Sequence, residues 1–140
     1  MELIKQVLAD GQTRFAAGAG EFLFKRLRPG ALLVTISGQD TGQFGPAVLD
    51  EIRMEAMRCG ALELLIDAEQ AVLVSMEVSR DWTHFFSHNR ERLKRVSVLT
   101  GSKLINLTVA IAQHLSQTGN LIQIYSDRSV FDEAVARAST

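Results

Sequence analysis

Four short runs rich in branched apolar residues recur along the chain: Ala31 to Ser37 (ALLVTIS), Leu62 to Asp67 (LELLID), Arg95 to Thr100 (RVSVLT) and Leu121 to Tyr125 (LIQIY). Each pair is separated by a stretch long enough for one helix. Near-continuous apolar runs of this length fit strands buried on both faces, and strands linked through helices favour right-handed crossovers and a parallel sheet. That rhythm limits the chain to an α/β architecture. An earlier run, Glu21 to Arg28, carries Phe22, Phe24 and Leu27, and meets the first across Arg28-Pro29-Gly30. Proline presets one turn dihedral and glycine tolerates the other, so a hairpin is expected, with one antiparallel edge strand. The expected order is β-β-α-β-α-β-α-β-α: a mixed, mainly parallel five-stranded sheet with helices. At 140 residues, one hydrophobic core is the natural size.

The intervals read as helices. Gly45-Pro46 opens one that runs to Cys59, with Val48, Leu49, Ile52, Ala56 and Met57 as its apolar stripe and Gly60 as its stop. Ala71 to Ser75 has no decisive period. A second helix begins between Ser75 and Ser79 and runs to about Leu93. Ser102 caps a third, from Lys103 to about Gln117, ended by Gly119-Asn120. Ser129 with Asp132 three residues on matches a capping box and opens a terminal helix through Ala138. The first twenty residues read as an extension. Leu3, Ile4, Val7 and Leu8 recur at the spacing of a short amphipathic helix, and Ala16 to Gly20 reads as a flexible joint. The domain proper is then expected over residues 21–140.

Fifteen basic residues against sixteen acidic ones leave a net charge of -1. That balance supplies no general attraction to nucleic acid or to an anionic membrane, so only a local patch would act on either. The longest apolar stretches, such as Ala71 to Val74, fall far short of the ~20 residues of a membrane span. Cys59 is the single cysteine, so no intramolecular disulfide forms. With no signal-peptide pattern at the start, a reducing cytoplasm is the expected location.

The order of elements, with LLVTISG, LELLID, RVSVLT and the closing LIQIYSDRSVFDEAV, resembles the STAS domain, in its STAS-like or SpoIIAA-like branch, over roughly Gly30 to Ala138. The resemblance implies a small regulatory or binding module. Classical members are anti-sigma-factor antagonists switched by serine phosphorylation, and the STAS-like branch is associated with apolar ligands. The family's switch motif, Asp-Ser-Ser/Thr-Gly, stands at the start of the helix after the LELLID-type strand. Here the corresponding stretch reads Val74-Ser75-Met76-Glu77-Val78, with a hydroxyl but no Asp-Ser, no paired hydroxyl and no glycine. Ser75 is the phosphorylation candidate the resemblance implies, with Ser79 behind it; a helix cap is its ordinary role.

Other residues invite chemistry. Trp82, Phe85 and Phe86 form an aromatic cluster that either packs a helix on the sheet or receives a ligand or partner. His84 and His88, four apart, share a helix face with Glu91, but opposite the apolar stripe, where water is expected; no metal site is assigned. Arg90, Arg92, Lys94 and Arg95 suit the negative end of a helix dipole. The helix from Lys103 is more apolar than one buried face requires, which a homodimer would use. Asp40, Asp67 and Asp127 end or follow strands, where α/β folds place their sites.

No phosphate-binding glycine loop, dinucleotide fingerprint or serine-hydrolase elbow is present. The expectation is therefore a non-enzymatic module without a cofactor, acting through a protein partner or a small apolar, lipid-like ligand. The rival is a small enzyme that uses Asp40, Asp67 and Asp127 with a histidine such as His84 or His114.

Overall fold

The computed structural model describes residues 2–101 and 121–140. Seven strands lie in one sheet in chain order: β1 (Ile4–Val7), β2 (Thr13–Ala17), β3 (Gly20–Arg28), β4 (Ala31–Asp40), β5 (Leu62–Val74), β6 (Leu93–Thr100) and β7 (Ile122–Tyr125). β1 to β4 pair antiparallel and β4 to β7 parallel. The three described helices are α1 (Ala47–Cys59), α2 (Met76–His88) and α3 (Arg128–Ala138).

The α/β class and the parallel half are as expected; the strand count is seven rather than five. The excess lies in the first twenty residues, where β1 and β2 form a hairpin that continues the sheet outward from β3. A short helix over Met1 to Ala9 is thereby corrected to a strand over Ile4–Val7. Four residues of amphipathic spacing fit either period, and a helix that short is marginal alone, whereas a hairpin gains ladder bonds from β3. The expected flexible joint is instead the tight turn between β2 and β3, which pairs Ala17 with Gly20. Gly38 serves the same corner with φ 78°, and a Cβ there would overlap the Ala19 carbonyl oxygen.

Alternation along the strands divides the core into two layers. Phe22, Phe24, Val34, Leu64, Ile66, Val96 and Val98 face α1 and α2, meeting Val48, Ile52, Ala56, Phe85 and Phe86. Ala31, Leu65 and Leu99 face α3, meeting Phe131, Ala134 and Ala138. Burying about 25 cal/mol per Å2 of apolar surface on each side is what holds helices to both faces.

Boundaries moved in three places. Of the undecided stretch, Ala71 to Val74 is the end of β5, which continues along β4 to the pair Asp40 and Val74, and Ser75 is the cap of α2. α2 stops at His88, not near Leu93. Asn89 donates its side-chain amide to the Phe85 carbonyl, a short 3-10 turn spans Arg90–Arg92, and Leu93 begins β6. The basic run therefore splits between that turn and β6. α3 is capped by Asp127, whose carboxylate accepts from the Ser129 backbone N–H at 2.9 Å, rather than by a Ser129 capping box. Met57 is 58% exposed and leaves the α1 stripe. The expected helix from Lys103, with Ser102 and His114, lies outside the described residues.

Candidate functional site

The end of β4, the end of β5 and the start of α2 converge on Ser75. The Ser75 backbone N–H donates to the Asp40 carbonyl oxygen at 3.0 Å, which fixes α2 to the end of β4. The Ser75 hydroxyl oxygen accepts from the Val78 N–H at 3.2 Å and thus caps α2, while Glu77 in the first turn suits the positive end of the helix dipole. Ser79 donates its hydroxyl to the Ser75 carbonyl at 3.0 Å.

The residues around Ser75 are exposed and apolar. Val72 is 61% exposed, Leu73 36% and Met76 75%. Three large apolar side chains within three positions of this hydroxyl are thus left in water, and exposed apolar surface of this kind is what a partner covers.

Asp40 lies under this corner, 6% exposed. Its carboxylate accepts from the Gly42 N–H at 3.1 Å. Burial pushes its pKa up, the Gly42 hydrogen bond opposes that, and the nearby Asp81 charge adds to the rise. The loop after it is held by Gln43, whose amide donates to the Gln39 and Ala17 carbonyls, and by Phe44, packed edge-on against Phe22.

Between α1 and α2 runs an open groove of about 630 Å3. Leu49 and Phe85 are apolar parts of its lining, and Asp81, His84, His88 and Arg92 stand on it, with Arg53 bonded to Asp50 at 2.7 Å. The His84 and His88 rings stack 5.9 Å apart, both exposed. Among the described residues no group of three His, Cys, Asp or Glu side chains is placed to hold a metal ion. Phe85 and Phe86 are buried against the sheet, and Trp82 packs partly buried beside them with ring centroids 6.2 and 5.7 Å away.

The three aspartates are not gathered into one site. Asp40 faces α2, Asp67 faces α3 on the other side of the sheet, and Asp127 caps α3. Asp67 is instead part of an ion network that the sequence does not announce. Arg128 Nη2 sits 2.8 Å from Asp67 and 2.9 Å from Glu69, and Nη1 3.3 Å from Asp132. Only the Arg128–Asp132 spacing of four within a helix is readable from sequence; Asp67 and Glu69 lie on another element. On the other face, the Arg26 guanidinium beside Glu55 holds that carboxyl below the usual range, against its burial.

No family model matches the chain, and no match was found among the curated proteins. Among solved structures, an anti-sigma factor antagonist from Mycobacterium paratuberculosis is similar over 86% of this chain and 97% of its own, at TM-score 0.56 and 16% identity. An uncharacterised protein with a SpoIIAA-like fold from Shewanella loihica is similar over 86% and 98%, at 0.56 and 13%. The anti-sigma factor antagonist SpoIIAA in its unphosphorylated form is similar over 82% and 96%, at 0.51 and 11%. At these identities the likeness is one of fold. The chain has a SpoIIAA-like fold, and among its described residues no helix is long and apolar enough to cross a membrane.

Proposed function

We propose that this chain is a non-enzymatic regulatory module that works by docking a protein partner on the corner formed by the end of β5 and the first turn of α2. The observation that carries the reading is the exposure of Val72, Leu73 and Met76 around Ser75. Apolar side chains left in water beside a hydrogen-bonded helix start are stabilised by a partner that covers them. Two neighbours of the same fold are anti-sigma factor antagonists, which supports a regulatory role over catalysis. The separate engagement of Asp40, Asp67 and Asp127 also favours binding, since general acid-base chemistry needs its acid and base in one cleft.

Ser75 is the residue we assign as the switch in this reading. A phosphate on its oxygen would sit at the start of α2, where backbone N–H groups and the helix dipole favour an anion. It would also place two charges within the apolar patch and so repel an apolar partner surface. The groove between α1 and α2, with Trp82, Phe85 and Phe86 behind it, is the place for a small ligand. Its charged rim of Asp81, His84, His88 and Arg92 favours a polar group over a lipid-like cargo.

Site-specific photocrosslinking tests the docking corner. A photoreactive residue at Met76 is expected to trap a discrete protein in the native host, and the same residue at Met57, exposed on α1, is expected to trap none. Addition of Ser75→Glu is expected to abolish the Met76 adduct. Equal labelling from both positions would overturn the reading.

A further inference from the structure

β1 is the outermost strand of the sheet, and all four of its residues are exposed. Among the described residues only one of its edges is bonded, to β2. The Leu8 N–H donates to the Gln12 carbonyl at 2.7 Å and closes the hairpin. Antiparallel pairs alternate between bonded and unbonded, so Ile4 and Gln6 also turn their backbone groups toward β2. Lys5 and Val7 therefore turn their N–H and C=O groups off the sheet, into water.

Natural edge strands are blunted by prolines, bulges or outward lysines. β1 has no proline, and its register with β2 runs from Ile4 and Ala16 to Val7 and Thr13 without a shift. Its one charge, Lys5, is drawn back onto α1: the ammonium lies 3.1 Å from Glu51 and 5.4 Å from the Phe15 ring centroid. Ile4 is left 50% exposed and Val7 74%. Among the described residues the edge is open and partly apolar.

We propose that β1 pairs antiparallel with β1 of a second copy of this chain, joining two seven-stranded sheets about a two-fold axis at Gln6. An axis perpendicular to the sheet sets residues of the same face opposite one another, which leaves two central registers. A centre at Lys5 would put two ammonium groups face to face, and like charges directly opposite are destabilising. A centre at Gln6 pairs Lys5 with Val7 of the second copy, twice, through the backbone groups that point outward, and pairs Ile4 with Leu8. The strip complements itself in that register without bringing like charges together. A ladder this short makes a weak, concentration-dependent dimer.

Sedimentation equilibrium of the intact chain from about 1 µM to about 300 µM is expected to show monomer passing to dimer. Val7→Pro removes an N–H that bonds nothing within the protomer, and Val7→Lys places a second ammonium opposite Lys5. Each is expected to weaken the dimer about tenfold or more with an unchanged thermal melt. In a Cys59→Ser background, Gln6→Cys is expected to form an intermolecular disulfide under mild oxidation faster than Ile4→Cys, which keeps Lys5 and in this register stands opposite Leu8 of the second copy. Monomer at every concentration would overturn the proposal, as would a dimer indifferent to both Val7 variants. Faster crosslinking from Ile4→Cys would overturn the register.

Discussion

Arg128, at the first position of α3, holds the carboxylate of Asp67 on β5 through one guanidinium nitrogen, Nη2, at 2.8 and 3.0 Å, across 61 residues of chain. A cation at a helix N-terminus is opposed by the dipole, so the pair with Asp67, Glu69 and Asp132 is what makes the position favourable. The Glu69 and Asp67 carboxylates raise the Arg128 pKa further above its ordinary value, against desolvation. Arg128→Ala is expected to destabilise the fold by about 1–2 kcal/mol, discounted for the exposure of the arginine. Urea unfolding measures it, and hydrogen exchange is expected to rise first in α3.

The pH response has two components of opposite sign. The folded-state pKa of Glu55 is lowered by Arg26, so its contribution is fully present above the unfolded value of about 4.3 and is lost as pH falls through the folded value. Asp40 is raised by burial, so its ionisation opposes folding as pH rises through that raised value. Asp40→Asn, which keeps an acceptor for the Gly42 N–H, is expected to raise the melting temperature at pH 7. That gain is expected to vanish in acid, where Asp40 is protonated in both states. Thermal melts from pH 3 to about pH 7 distinguish the two.

Ser75→Ala is expected to cost about 1 kcal/mol through loss of the cap on Val78. Ser75→Asp keeps an acceptor there and is expected to remain near wild-type stability. Chemical denaturation of the pair checks this, and a loss of the Met76 crosslink in the stable aspartate variant would separate a binding effect from unfolding.

Gly38→Ala is expected to destabilise by more than about 2 kcal/mol, because φ is positive there and the added carbon meets the Ala19 carbonyl. Gly42→Ala has a positive φ but open space and is expected to cost about 1 kcal/mol. The difference between the two melts isolates the clash.

Much of the scaffold was legible because its signals are local. ALLVTIS and LELLID read as buried strands, Gly45-Pro46 and Gly60 as the ends of α1, and Ser75 as a cap, since each rests on a period, a turn residue or one hydroxyl. β1 and β2 were not legible, because Leu3, Ile4, Val7 and Leu8 fit a helix as well as a strand until β3 offers a ladder to join. The end of β5 was hidden for a related reason: beyond Asp67 its pairing with β4 sustains the strand without an apolar alternation.

Taken alone, the order of apolar runs and breakers determined the α/β class and the parallel half of the sheet, and bracketed the start of α2 between Ser75 and Ser79. Tertiary structure alone decided that Asp40 and Asp67 face opposite sides of the sheet, that Arg128 pairs with Asp67, and that Val72, Leu73 and Met76 stay in water. The physical reason is range. Periodicity and capping act within a few residues, whereas an ion pair, a burial or an open edge depends on which element arrives on the other side.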